Sequence, residues 1–202
     1  MQKKQINKEI IHKFRMKLRT LKLEDAAAVI TKNPSKIEKL FREIEKNEGR
    51  FINVFGNLFE LMVGHYYQNM GSASIRMGKE IVYENQKNEI DILVEREGKN
   101  IIVECKATKS PIDDDFVKIW LNKNIPNIRK WIIQSNCNNF NKQEYELWSL
   151  GGFTDEAKRL LAEAQEGTSK YKIRFYDKEM IRDKFKDIGA SNLIKMLNQY
   201  YE

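Results

Sequence analysis

The sequence has few of the residues that hold small secreted or fibrous proteins together. Its two cysteines, Cys105 and Cys137, are too few for a disulfide framework and lack the paired spacing of a zinc site. Its 3 prolines argue against a linker-rich or collagen-like chain. No stretch approaches the roughly 18 apolar residues of a membrane span, and the basic N-terminus lacks the apolar segment of a signal peptide. We therefore expect a cytoplasmic protein without a membrane partner.

Charged residues are abundant instead. The 202 residues include 36 Lys and Arg against 29 Asp and Glu, which gives a formal net charge of +7. An excess of this sign is typical of proteins with an anionic partner such as nucleic acid, although a lysine-rich codon usage gives the same excess. With 41% apolar residues, the chain is long enough for one compact domain with a buried core and an appendage.

The first 70 residues have apolar side chains at helical spacing. An amphipathic helix with lysines and arginines between its apolar positions is predicted from Ile6 to Leu21. Its basic stripe is either a solvated face or a contact for a phosphate backbone. A longer apolar helix is predicted from Phe51 to about Met70, and it carries Glu60. This part of the chain is therefore expected to be mainly helical.

After residue 70 the apolar residues follow the alternating pattern of strands. Strands are predicted at 74–83, 89–95, 100–107, 131–134 and 171–176, and helices at 113–124, 154–166 and 177–201. Thr154 is the expected N-cap of its helix. Three strands in succession, followed by strands that alternate with helices, predict an α/β domain.

The second and third strands are predicted to form a hairpin that brings acidic and basic residues together. With the turn centred between Glu97 and Gly98, Asp91 should face Glu104, and Lys106 should share their side of the sheet. The opposite side is then wholly apolar and consists of Ile90, Ile92, Val94, Ile101, Val103 and Cys105.

Two carboxylates that face each other in a sheet repel unless a positive charge lies between them. Magnesium would supply that charge, since it prefers oxygen ligands and usually takes one or two protein carboxylates. Asp91 and Glu104 suit this role, and the backbone carbonyl of Cys105 could add a ligand. Lys106 could orient or deprotonate an attacking water and offset charge on a phosphate. The alternative is an ion cluster on a solvated sheet surface.

These residues resemble a known family motif. Glu89-Ile90-Asp91, 12 further residues and then Glu104-Cys105-Lys106 are similar to the core of the PD-(D/E)XK, or restriction-endonuclease-like, nuclease superfamily. The resemblance implies a mixed central sheet flanked by helices, with Asp91 and Glu104 as metal ligands and Lys106 as the catalytic lysine. Ile90 stands where many members have proline, which leaves this set intact.

Two further segments fit the resemblance, which covers roughly residues 50 to 180. The segment from Gly56 to Glu60 is similar to the acidic helix before the first core strand, so Glu60 is a candidate catalytic and metal-binding carboxylate. Its alternative is an exposed helix charge. The segment from Gly151 to Ala157 is similar to the Mrr-like branch. We therefore expect an N-terminal helical region at 1–50 and a nuclease domain at 51–202.

The resemblance implies an endonuclease that hydrolyses DNA with Mg²⁺, for which Mn²⁺ could substitute. Each chain carries one predicted site, so a homodimer would supply the second site needed to cut two strands. The main alternative is a non-catalytic module that binds nucleic acid or takes part in an assembly while retaining the nuclease fold. A third hypothesis is a helical protein-interaction domain in which the hairpin has no catalytic role.

Overall fold

The computed structural model describes residues 54–83, 86–134, 142–167 and 170–201. The chain divides into two compact units, Met1–His65 and Tyr66–Glu202. Within the first unit the described residues form most of helix α1, Val54–Asn69, whose last turn belongs to the second unit. The predicted basic helix at the N-terminus and the predicted domain boundary at residue 50 lie outside the described residues.

The second unit contains a mixed sheet of five strands in the order β1-β2-β3-β4-β5. The strands are β1 Ser74–Tyr83, β2 Gln86–Arg96, β3 Lys99–Lys106, β4 Lys142–Ser149 and β5 Lys172–Tyr176. The first three strands are antiparallel neighbours, whereas β3, β4 and β5 run parallel. Parallel neighbours require crossover connections, and helices supply them here. The predicted α/β fold with a mixed central sheet flanked by helices is confirmed.

The hairpin between β2 and β3 has the predicted register. Leu93 lies opposite Ile102, and Ile92 lies opposite Val103. The turn residues Glu97 and Gly98 both have positive φ values, 50° and 69°. Two consecutive residues of this kind form the turn whose twist matches that of a two-stranded hairpin.

The helices of the second unit follow the strands that they connect. The second crossover contains α4 Asp155–Gly167, and the chain ends with α5 Lys178–Asp187 and α6 Ser191–Tyr201. Thr154 caps α4 as predicted, since its Oγ1 accepts a hydrogen bond of 3.2 Å from the Ala157 N–H. Within the described parts of the chain, no helix combines the length and apolar character needed to cross a membrane.

The segment between β3 and β4 differs from the prediction. Helix α2, Asp114–Ile119, continues through a π-helical turn, Trp120–Asn124, into α3, Ile125–Gln134. The predicted strand at 131–134 is therefore wrong. Ile125, Ile128 and Ile132 are buried at helical spacing. In the π-helical turn the Ile125 N–H bonds to the Trp120 carbonyl, just before Pro126, which has no N–H to donate.

Strand β4 was missed because it carries two carboxylates. Glu144 and Glu146 alternate with Tyr145 and Leu147, and all four residues are buried. Glu144 forms an ion pair with Arg174 on the neighbouring strand. A strand with glutamates on one face is ordinarily expected to have that face in solvent, whereas here both faces are covered.

Glu146 is surrounded by donors. Its Oε2 accepts hydrogen bonds from the Tyr67 hydroxyl and, at 2.7 Å, from Trp148 Nε1. Its Oε1 lies 3.4 Å from the Tyr176 hydroxyl. Burial raises the pKa of Glu146 despite these donors, because removal from water disfavours the charged form more than the two hydrogen bonds favour it. Lys184 lies nearby, with Nζ 4.1 Å from the centre of the Tyr176 ring.

Candidate active site

Asp91, Glu104 and Lys106 come together at one end of the β2–β3 hairpin. In the described part of these strands, the ladder ends with Ile92 opposite Val103. Beyond that pair the Asp91 side chain takes the place of a backbone partner, since the Cys105 N–H donates a hydrogen bond of 2.8 Å to Asp91 Oδ2. Asp91 is thereby fixed against the backbone between the glutamate and the lysine of β3.

Lys106 is held by Glu104. Its Nζ lies 2.5 Å from Glu104 Oε1, and the two side chains are 30% and 15% exposed. Burial lowers the pKa of Lys106, but the attraction and hydrogen bond of Glu104, together with the charge of Asp91, outweigh this and raise the pKa above its usual value. The raised pKa keeps Lys106 protonated at neutral pH, in contact with Glu104 and near Asp91.

The β1–β2 ladder is interrupted at Asp91. Its regular pairs stop on either side of Gly78 and Asp91, and Gly78 has a φ of 58°, which glycine adopts at little cost. Ile90 packs in the same buried cluster as Leu93, although the strict alternation of a strand predicted these two side chains on opposite faces.

The face predicted for Asp91 and Glu104 is charged at one end only, and its other residues are apolar and covered. Leu93 and Ile102, on this predicted face, are only 3% and 4% exposed. They pack beneath residues of α2, α3 and α4 in the same buried cluster. The charged residues are therefore confined to the end of the hairpin.

Gly151 lies directly against the loop that follows Lys106. A Cβ atom on Gly151 would be 2.2 Å from the Ser110 carbonyl oxygen and 2.7 Å from that of Thr108. The Leu150 N–H also donates a hydrogen bond of 3.0 Å to the Lys106 carbonyl. Such a close approach of two backbones requires glycine at this position. The segment after β4 thereby fixes the course of the chain beyond Lys106.

Phe116 is a neighbour of Lys106 that the sequence did not reveal. Its ring centre lies 5.1 Å from Lys106 Nζ, within the range of a cation–π contact. Helix α2 places the ring there, and Asp113 caps this helix by accepting a 2.9 Å hydrogen bond from the Phe116 N–H. A phenylalanine in an amphipathic helix is ordinarily expected in the core, so its sequence signal is weak.

The other two candidate ligands have different positions. Glu60 is half-buried on α1, in the part of that helix that belongs to the first unit. The Cys105 side chain is buried, with 7% exposure, so its backbone is the group to consider as a ligand. The N–H and C=O of a strand residue project toward the same neighbouring strand, which directs the Cys105 carbonyl to the side of Asp91.

Among residues 54–83, 86–134, 142–167 and 170–201, no group of three or more His, Cys, Asp or Glu side chains lies close enough together to hold a metal ion. The acidic part of the hairpin site consists of the pair Asp91 and Glu104. With the Cys105 backbone carbonyl, this pair offers only oxygen donors, the kind that magnesium prefers.

No protein-family model matches the chain, and no curated protein matches it significantly. A solved structure described as "Crystal Structure of Protein of Unknown Function AF1548" is 17% identical in sequence, with a TM-score of 0.44. The match covers 66% of this chain and 66% of that chain.

Proposed function

We propose that the protein is a magnesium-dependent nuclease that hydrolyses phosphodiester bonds of DNA at the end of the β2–β3 hairpin. The observation that carries the proposal is the contact of Lys106 with Glu104 beside Asp91. Two carboxylates and a lysine in one partly buried place supply both the ligands for a divalent cation and a positive charge for a phosphate.

Asp91 and Glu104 would hold the magnesium ion, with the Cys105 carbonyl as a further ligand. Glu60 stays a candidate fourth member of this set. When bound, magnesium would polarise the scissile phosphate and make a water molecule easier to deprotonate. The donor set fits this ion, because it consists of oxygen atoms and leaves coordination positions for water and phosphate.

Lys106 would bind and stabilise the substrate phosphate. Its ammonium group already lies beside carboxylates, so it can move a short distance to a phosphate oxygen when a cation takes over Glu104. The Phe116 ring limits the directions in which the lysine can turn, which keeps the charge close to the site. A preorganised charge of this kind favours the transition state of phosphodiester hydrolysis.

DNA is proposed as the substrate because the motif resembles that of a superfamily that acts mostly on DNA. The formal charge of +7 agrees with an anionic substrate. A homodimer in the cytoplasm would present two such sites for cleavage of both strands. Manganese should replace magnesium, because it accepts the same oxygen ligands.

The test is metal-dependent cleavage of labelled linear duplex, single-stranded DNA, a four-way junction and RNA. Asp91→Asn and Lys106→Met should each reduce the rate by a factor of roughly 10² to 10³. Lys99→Met is the matched control, since Lys99 lies on the same strand as Lys106 at its other end. Thermal unfolding should show that all variants are folded.

Cleavage that survives in both site variants would refute the proposal, because the activity would then arise elsewhere. Binding of DNA without cleavage by the folded wild type, in Mg²⁺ or Mn²⁺, would instead support the non-catalytic module. Equal losses in Lys99→Met and Lys106→Met would show that the lysines act only through general electrostatic attraction.

A further inference from the structure

A basic cavity lies away from the hairpin site, between helix α3 and the start of β5. It is a cavity of about 570 Å³, within the size range of small-molecule sites. Its walls include Pro126, Arg129, Lys130, Ile133, Lys170 and Tyr171. Tyr171 directly precedes β5, whereas Lys106 ends the parallel strand β3. The two sites are therefore at opposite ends of the parallel strands, roughly 20 Å or more apart.

The part of the cavity wall that α3 supplies consists of the core residue Ile125 and a helical stripe beside it. Pro126, Arg129, Lys130 and Ile133 follow one another at intervals of three, one and three residues, so they share a face of the helix. The core residues Ile128 and Ile132 lie on the adjacent face, whereas Ile133 is 51% exposed. A large exposed apolar residue next to two cations suits a ligand with both an anionic and an apolar part.

The described charged residues that line the cavity are all positively charged. Its described lining residues include three cations, Arg129, Lys130 and Lys170, and no carboxylate. The Arg129 guanidinium lies 5.5 Å from the centre of the Tyr171 ring, which holds it beside the cavity. Its Nε is buried, and no hydrogen-bond partner for it lies among the described residues. A guanidinium and two ammonium groups in one cavity suit a phosphate, whose oxygens accept charge-assisted hydrogen bonds from both kinds of cation.

From these observations we infer that the cavity binds one nucleotide, with its phosphate at Arg129, Lys130 and Lys170. The base would lie against Pro126, Ile133 and Tyr171. Inorganic phosphate alone would leave this apolar wall uncovered, and an apolar ligand would leave the three cations without an anion. The inference rests on the proposed function for its choice of nucleotides among phosphate-bearing ligands. It adds a contact for a strand that extends beyond the cleavage site.

The test is fluorescence anisotropy of a labelled 20-nucleotide single strand, measured in EDTA so that no cleavage occurs. Arg129→Gln and the double variant Lys130→Gln/Lys170→Gln should each weaken binding by about tenfold. Lys186→Gln on α5 is the control for loss of one surface charge, and it should change binding by less than about twofold. Lys186 is exposed and is paired with Asp183.

Competition identifies the form of the ligand. If unlabelled AMP displaces the strand from the wild type and binds Arg129→Gln about tenfold more weakly, the cavity takes a nucleotide. A strand that binds much more tightly than AMP shows that the nucleotide belongs to a nucleic acid, whereas equal affinities show that a free nucleotide is the ligand.

Three results would overturn the inference. They are an equal loss in Lys186→Gln, displacement of the strand by inorganic phosphate as readily as by AMP, and no binding of strand or AMP by the wild type. The proposed nuclease activity fails independently, in the cleavage assay of Asp91→Asn and Lys106→Met.

Discussion

Replacing Glu146 with glutamine should stabilise the protein, and the gain should grow as the pH rises. The two donors on its Oε2, the Tyr67 hydroxyl and Trp148 Nε1, can both bond to the amide oxygen of glutamine. The amide NH₂ can then donate to the Tyr176 hydroxyl, which lies 3.4 Å from Oε1. Glutamine therefore keeps the hydrogen bonds of this buried group and removes its charge.

The pH dependence follows from the raised pKa of Glu146. Below about pH 4.3 the carboxyl is protonated in both the folded and the unfolded protein, so no charge is buried on folding. As the pH rises toward the folded-state pKa, the unfolded chain loses this proton first, and the free energy of unfolding falls by up to about 1.4 kcal/mol per pH unit. Glu146→Gln lacks this loss. The variant also lacks the attraction between the Glu146 carboxylate and Lys184, and this reduces the gain in stability.

Glu146→Ala should have the opposite effect. It leaves the Tyr67 and Trp148 donors without an acceptor. Each buried donor left unsatisfied costs about 1–3 kcal/mol, so the free energy of unfolding should fall by roughly 2–6 kcal/mol. At about 2–4 °C per kcal/mol for a chain of this size, the melting temperature should fall by about 4 to 24 °C. The contrast between Gln and Ala separates the cost of the charge from the cost of unsatisfied donors.

Thermal and urea unfolding from pH 4 to pH 8 would measure these effects, with Glu163→Gln as the control. Glu163 is an exposed carboxylate on α4 that pairs with Arg159, and its replacement should shift Tm by no more than about 2 °C. If the free energy of unfolding changed with pH by the same amount in the wild type and in Glu146→Gln, the reasoning would be refuted. So would a Glu146→Gln variant as unstable as Glu146→Ala.

Three other substitutions test the surroundings of the candidate site. Gly151→Ala should displace the loop after Lys106, because the new Cβ would lie 2.2 Å from the Ser110 carbonyl oxygen, and should lower both Tm and any cleavage rate; a wild-type melting curve would contradict this. Magnesium at a hundredfold its Kd should stabilise the wild type by about 2.7 kcal/mol but not Asp91→Asn, and equal Tm shifts would exclude Asp91 as a ligand. Asp113→Ala removes the N-cap of α2 and should cost about 1 kcal/mol, so an unchanged urea midpoint would contradict the cap.

The hairpin could be predicted from the sequence because its determinants are local. Glu97-Gly98 lies between two apolar runs, and a two-residue turn fixes which residues face each other. From that register the proximity of Asp91, Glu104 and Lys106 follows by counting. The α4 cap at Thr154 was predictable for the same reason, since an N-cap depends on residues three positions apart.

Strand β4 and helix α3 could not be predicted in this way. The run Trp131-Ile132-Ile133 is too short for its period to separate a strand from a helix, and only the burial of Ile125 and Ile128 shows the helical stripe. Glu144 and Glu146 belong in a buried strand only because their partners, Arg174, Tyr67 and Tyr176, come from distant parts of the chain. The charge that made β4 look exposed is satisfied by contacts that no local pattern contains.

The candidate site also combines local features, which the sequence predicts, with contacts that no local pattern contains. Asp91 was predicted to face Glu104 as one more pair of the ladder, whereas its carboxylate instead binds the Cys105 N–H where the ladder stops. This difference strengthens the case for a functional role, because a carboxylate that replaces a ladder bond has its position set by the backbone. A Lys106 side chain in contact with Glu104 would by itself be an ordinary ion pair, of little value for stability at a surface. The interruption of the sheet at Gly78 and Asp91 turns that pair into a small, partly buried site whose geometry magnesium binding would directly test.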